Sequence, residues 1–176
     1  MKTGSAIIVL LIILSLLLVA AGCTQPAPAT VTPSPTVPAA PAAVSSTKDE
    51  MVAFVKEAAA YAKSHDKNAS LAEFSNRNGS FIHGDLYIYA YDFNGITLAH
   101  PFNPEKIGVD RINEKDALGT LFITNLRDAA RNESGFVEFA YINPANNYTV
   151  EKKLGYVEKV DNDWWLGSGI YFGPVT

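Results

Sequence analysis

The chain opens on an almost unbroken apolar run from Ala6 to Ala20, interrupted only by Ser15, and from Thr24 to Ser46 it carries neither charge nor hydrophobic period. A helical period then begins. Met51, Phe54, Val55, Ala58, Tyr61 and Ala62 recur behind Thr47-Lys48-Asp49-Glu50, a Thr-x-x-Glu capping box, and predict an amphipathic helix over about Lys48 to Ser64. A second short helix is expected after Ser70, through Leu71, Ala72 and Phe74, before the turn at Asn76 to Ser80.

The pattern next changes to a period of two. Leu86 to Asp92 is rich in aromatic and branched residues and predicts a strand, Asn94-Gly95 predicts a type I′ hairpin turn, and Ile96 to His100 predicts the returning strand. Alternation puts Tyr87, Tyr89 and Tyr91 on one face and Leu86, Ile88 and Ala90 on the other. Pro101, Pro104 and Gly108 make the following stretch irregular, and a further helix is expected over Leu118 to Arg131. Three more strands follow at Gly135 to Ile142, Val150 to Val160 and Trp164 to Phe172, with turns at Asn143-Pro144 and Asp161-Asn162. Trp164 and Trp165 must point to opposite faces of the last one. Consecutive hairpins make an antiparallel sheet, so the body reads as a single α+β domain.

Charge divides the chain at the same place as the pattern. Of the 14 basic residues only Lys2 precedes Lys48, and all 18 acidic residues follow it. Met1-Lys2, the apolar run and the small residues Ala20-Ala21-Gly22 have the layout of a secretory signal, residues 1–22. Cys23, the sole cysteine, stands where a lipobox would place a lipidated residue, although Ala20 replaces the usual Leu; an uncleaved anchor is the alternative. Either arrangement tethers the body to the outer face of the membrane. Six prolines and seven Ser or Thr between Thr24 and Ser46 describe an extended, disordered tether, residues 23–46, leaving 47–173 as the domain. Without a basic cluster, nucleic acid is not an expected partner. Four Asn-x-Ser/Thr sequons, at Asn68, Asn78, Asn132 and Asn147, are each expected in a turn.

Little points to an enzyme. His65, His83 and His100 are scattered, no His-x-x-x-His pair occurs, and the cysteine belongs to the export segment, so no metal site or cofactor is expected. Gly167-Ser168-Gly169 lies inside a predicted strand and opens no helix, which favours close packing over a phosphate loop.

Several segments, taken in order, carry a resemblance. Gly84 to Gly95, Leu98-Ala-His-Pro101, Ile107-Gly108, Gly135-Phe-Val-Glu138, Lys153-Leu-Gly-Tyr-Val157 and Trp164 to Tyr171 are together similar to a single-Cache domain, over nearly all of Asp49 to Phe172. The resemblance implies a PAS-like antiparallel five-stranded sheet, a long N-terminal helix and a small-molecule pocket on the far side of the sheet. Sensory receptors of this family carry an output module, whereas this sequence stops at Thr176, and it has Val109-Asp110-Arg111 where many relatives have Lys or Asn after the Ile-Gly pair.

On that basis the ligand-binding candidates are Tyr89, Tyr91, His100, Arg111 and Lys153. Phenolic hydroxyls with a cation suit a small organic anion or amino acid, because a carboxylate leaving water needs charge-assisted hydrogen bonds. Each has a plainer alternative: an aromatic core for the tyrosines, a structural histidine, and solvated surface charges for Arg111 and Lys153. The expected function is extracytoplasmic ligand capture, in partnership with a membrane receptor or transporter. A structural or adhesive surface lipoprotein is the alternative.

Overall fold

A computed structural model of the chain describes residues 46–175. The export segment, Cys23 and most of the tether lie outside the described residues.

The first helix, α1 (Lys48–Ser64), starts at the expected capping box, with the Glu50 amide donating to Thr47 Oγ1 and the Thr47 amide donating to the Glu50 carboxylate. Its apolar stripe, Met51, Phe54, Val55, Ala58, Ala59 and Ala62, is buried. The second helix, α2 (Lys67–Ser75), begins earlier than its apolar residues suggest, because the Asp66 carboxylate caps it by accepting from the amides of Asn68 and Ala69. Asn68 is therefore in a first helical turn, and its expected turn location is corrected.

The strands are β1 (Ile82–His83), β2 (Leu86–Tyr87), β3 (Tyr89–Asp92), β4 (Thr97–Ala99), β5 (Ser134–Asn143), β6 (Thr149–Lys159) and β7 (Trp164–Pro174). Five of them form an antiparallel sheet in the order β4-β3-β7-β6-β5, and β1 pairs with β2 in a separate ribbon. The single strand expected over Leu86 to Asp92 is thus two, divided at Ile88 where the pairing partner changes.

Two layers of apolar side chains cover the sheet. Leu86, Ile88, Ala90 and Trp164 pack with α1 and α2 on one face; Tyr87, Tyr89, Tyr91 and Trp165 pack with the third helix, α3 (Phe122–Arg131), on the other. The alternation read from the sequence survives the break in the strand.

Two local expectations are corrected. The β3–β4 turn is not type I′, since Asn94 does not adopt a positive φ; Gly95 does, at 95°, and its amide donates to Asp92 O over 3.2 Å. Asp92 Oδ1 also accepts from the amides of Asn94 and Ile96, which favours a three-residue loop closed by glycine over the two-residue turn. Similarly, α3 begins at Phe122 and not at Leu118. The Asp116 carboxylate accepts from the amides of Leu118, Thr120 and Ala140, and Gly119 sits at φ 81°, so this segment is held as a loop tied to β5.

The stretch between β4 and α3 crosses the far face of the sheet. Gly108 and Val109 exchange hydrogen bonds with Thr97, and the Arg111 amide donates to Gly95 O over 2.9 Å. That backbone pairing brings Arg111 next to β3.

Candidate ligand-binding site

A small cavity lies between the far face of the sheet and α3. Its polar wall is Lys153, Tyr87, His100 and Tyr141; α3 and β5 supply Phe122, Ile123, Leu126 and Phe139; Tyr89 and Tyr91 complete it. The free volume is about 10 Å³, the room that one water molecule needs. A larger occupant must therefore move side chains apart.

Lys153 belongs to β6, where strand alternation turns it inward, and only 1% of it is exposed. Its Nζ donates to the Tyr87 hydroxyl at 2.8 Å and the Tyr171 hydroxyl at 3.2 Å. The rings of Tyr87 and Tyr171 stand 4.2 and 4.5 Å from it, close enough for cation–π attraction. Among the described residues no carboxylate forms an ion pair with it. Burial pushes the Lys153 ammonium down to about 7, against a weaker opposing pull from Asp85.

The phenols around it stay neutral. Burial raises Tyr87, Tyr89 and Tyr141 above the ordinary tyrosine range. Tyr171 donates to Ile142 O over 2.7 Å, so its oxygen remains free to accept from Lys153. His100 is also neutral, depressed by burial first and by Lys153 and Arg111 next. Its Nδ1 accepts from the amides of Phe102 and Asn103, and the Asn103 side-chain amide spans His100 Nε2, at 3.3 Å, and the Tyr141 hydroxyl, at 2.9 Å.

Of the five residues proposed from sequence, Tyr89, Tyr91, His100 and Lys153 reach the cavity wall. Arg111 is set one hydroxyl back from it. The guanidinium donates from Nη1 to the Tyr91 hydroxyl at 2.5 Å and grips Glu114 with Nε at 2.6 Å and Nη2 at 2.8 Å. Burial is the largest single influence and works against its charge, but Glu114, Tyr91 and Tyr141 together outweigh it and hold Arg111 firmly protonated. Arg111 therefore faces a second, wider cleft of about 200 Å³, lined also by Lys106, Glu114 and Lys115. Phe122 and Tyr141 belong to both spaces and form the partition between them.

Sequence reasoning missed Tyr87, Tyr141, Asn103, Tyr171 and Glu114. Tyr87 was legible, because it shares the face of Tyr89 and Tyr91; the others depend on pairings between distant strands and loops. Gly155 was also overlooked: a Cβ there would stand 2.9 Å from Phe139 and 3.0 Å from the Tyr89 hydroxyl, so this glycine makes room beside the cavity. Gly167 and Gly169 are close-packed within β7, as the strand reading expected, with a Cβ at Gly167 meeting Tyr156 O at 2.7 Å. Among the described residues no group of three His, Cys, Asp or Glu side chains is placed to hold a metal ion.

Residues 43–176 match the family description "Single Cache domain 2". The chain belongs to the single Cache domain 2 family. Its fold is that of the sensory Cache domains. A methyl-accepting chemotaxis protein from Vibrio parahaemolyticus is 29% identical, over 70% of this chain and 87% of that one, with a TM-score of 0.59. A Cache chemosensory domain solved to explain carboxylic acid recognition is 23% identical, over 70% of this chain and 91% of that one, with a TM-score of 0.60. The periplasmic sensor domain of a chemotaxis protein is 24% identical over 70% and 88% of the two chains, at a TM-score of 0.54. A search of curated proteins gives no match. Among the described residues no helix is long and apolar enough to cross a membrane.

Proposed function

We propose that this Cache domain captures a short monocarboxylate outside the cytoplasm, as the ligand-binding part of a lipoprotein anchored through Cys23. Lys153 carries the reading. Among the described residues this buried ammonium has hydroxyls as hydrogen-bond partners and only the weaker pull of Asp85 against the cost of burial, and an anion in the adjoining cavity would offset that cost. The Tyr141 hydroxyl, which accepts from Asn103 and keeps its own proton, stands ready as a further donor, while Phe122, Ile123, Leu126 and Phe139 would cover a short aliphatic tail.

The same wall argues against amino acids, the other half of the sequence expectation. An α-ammonium group needs an acidic partner, and among the described residues no Asp or Glu lines the cavity. Glu114, which lines the second cleft, is engaged by Arg111 at two points. The carboxylic acid recognition reported for a Cache relative agrees with this choice of ligand class.

The narrowness of the cavity favours the second reading, a structural surface lipoprotein without a ligand. That reading leaves Lys153 buried without a purpose. A thermal-shift panel separates the two: acetate, propionate and pyruvate should stabilise the domain, glycine and alanine should not. No shift from any carboxylate favours the structural reading.

A further inference from the structure

Two cations serve this region, and their partners differ in kind. Among the described residues Lys153 has only hydroxyls within hydrogen-bond reach. Arg111 is held by a full carboxylate in a two-point grip, with Tyr91 on its remaining nitrogen. From the ligand side of the partition, the first cation presents a net positive charge and the second presents almost none.

We infer that Glu114 is a specificity-determining residue: by neutralising Arg111 it makes the site select monocarboxylates over dicarboxylates. The inference rests on the ligand reading above and adds the residue that sets the ligand's charge. A second carboxylate in the same cavity would approach the hydroxyls of Tyr91 and Tyr141. Both hydroxyls lie against Arg111, at 2.5 and 3.5 Å, so a charge on that guanidinium would be felt one oxygen away. Paired with Glu114 it offers no net attraction, and a second anionic group would lose its hydration without compensation.

The other charges around the cleft are common to the parent and to every variant compared below, the Lys106 charge reaching both Glu114 and His100. Asp116 is committed to the amides of Leu118, Thr120 and Ala140, and Lys106 and Lys115 stand on the solvent side with Glu114. Arg111 itself is always protonated, so its charge is governed by its partner and not by pH. Glu114 is also the accessible member of the pair, with 35% of its side chain exposed against 1% for Arg111. It can therefore be neutralised without opening the core.

The test uses the full chain in detergent micelles and two probes with the same three-carbon skeleton, propionate and malonate. Calorimetric titration should give a parent protein that prefers propionate. In Glu114→Gln the malonate-to-propionate affinity ratio should move towards malonate by about tenfold or more, the scale expected when one unit of charge is unmasked nearby. The double variant Arg111→Gln, Glu114→Gln should lose that gain, and Glu114→Asp, which keeps the charge, should retain the parent ratio. Glu114→Ala is the second neutral variant should the glutamine form fail to fold. An unchanged ratio in a neutral variant that still binds propionate overturns the inference, as does a gain that persists without Arg111. A parent that binds malonate as well as propionate overturns the selectivity alone, whereas a parent that binds neither overturns the ligand reading and this inference with it.

Discussion

Lys153 Nζ lies 2.8 Å from the Tyr87 hydroxyl, between residues 66 positions apart in the chain, and among the described residues no carboxylate forms an ion pair with it. The pairing exists because β6 and β2 each turn one side chain towards the same face of the fold. It places a cation where the empty domain has least use for one.

A pH dependence of stability follows. The folded Lys153 titrates at about 7, well below an unfolded lysine at about 10.4. Between those values the unfolded chain binds more protons, so stability rises with pH through this window, and below 7 the full cost of the buried ammonium is present. Above about pH 10 the buried tyrosines reverse the trend, because their ionised forms are favoured only in the unfolded chain. Melting temperatures from pH 6 to 9.5 should therefore rise more in the parent than in Lys153→Met. Equal slopes would mean that Lys153 is not buried as described.

Arg111→Ala should act mainly on the fold. It empties a buried side-chain position, takes a donor from the Tyr91 hydroxyl and leaves the partly exposed Glu114 without its partner, a loss of about 1 to 3 kcal/mol. Chemical denaturation should show a clear drop in midpoint. A change within about 0.5 kcal/mol, typical of surface positions, would place Arg111 at the surface after all.

Gly155→Ala should separate folding from binding. The added methyl would enter the space between Phe139, Leu126 and the Tyr89 hydroxyl, at a cost of about 1 to 3 kcal/mol for overpacking. The variant should melt lower but cooperatively, and carboxylate should no longer shift its melting temperature. Retained binding would show that the cavity does not extend to Gly155.

Much of the scaffold was legible because it depends on local rules. The capping box fixed the start of α1, and period-two alternation sorted Tyr87, Tyr89, Tyr91 and the Trp164-Trp165 pair onto their faces. Errors arose where one side chain competes with the backbone pattern: Asp66 extends α2, Asp92 reshapes the hairpin, and Asp116 delays α3. The candidate site was readable in its strand residues, through alternation and family resemblance. The roles of Tyr141, Asn103 and Glu114 were not, since each is set by a contact between segments far apart in sequence.

The export segment carries its own prediction. Membrane-extracted protein should begin at a lipid-modified Cys23, and the chain lacking residues 1–46 should remain a cooperatively melting soluble domain, because the tether has no apolar period to add to a core. Mass spectrometry and calorimetry check the two parts. A mature protein that starts elsewhere and stays in the aqueous phase contradicts the first; aggregation of the shortened chain contradicts the second.

The central claim is that Lys153 receives the carboxylate, and the pH dependence of binding tests it most directly. Propionate titrated into the protein at pH 6 to 9 should bind with an affinity that is nearly flat below 7 and falls by about tenfold per unit above it, since the amine must first take up a proton. The same titrations in buffers of different ionisation heat should reveal that proton uptake, and Lys153→Met should abolish binding at every pH. Propionate binding that ignores pH across this range, or that survives in Lys153→Met, would contradict the account.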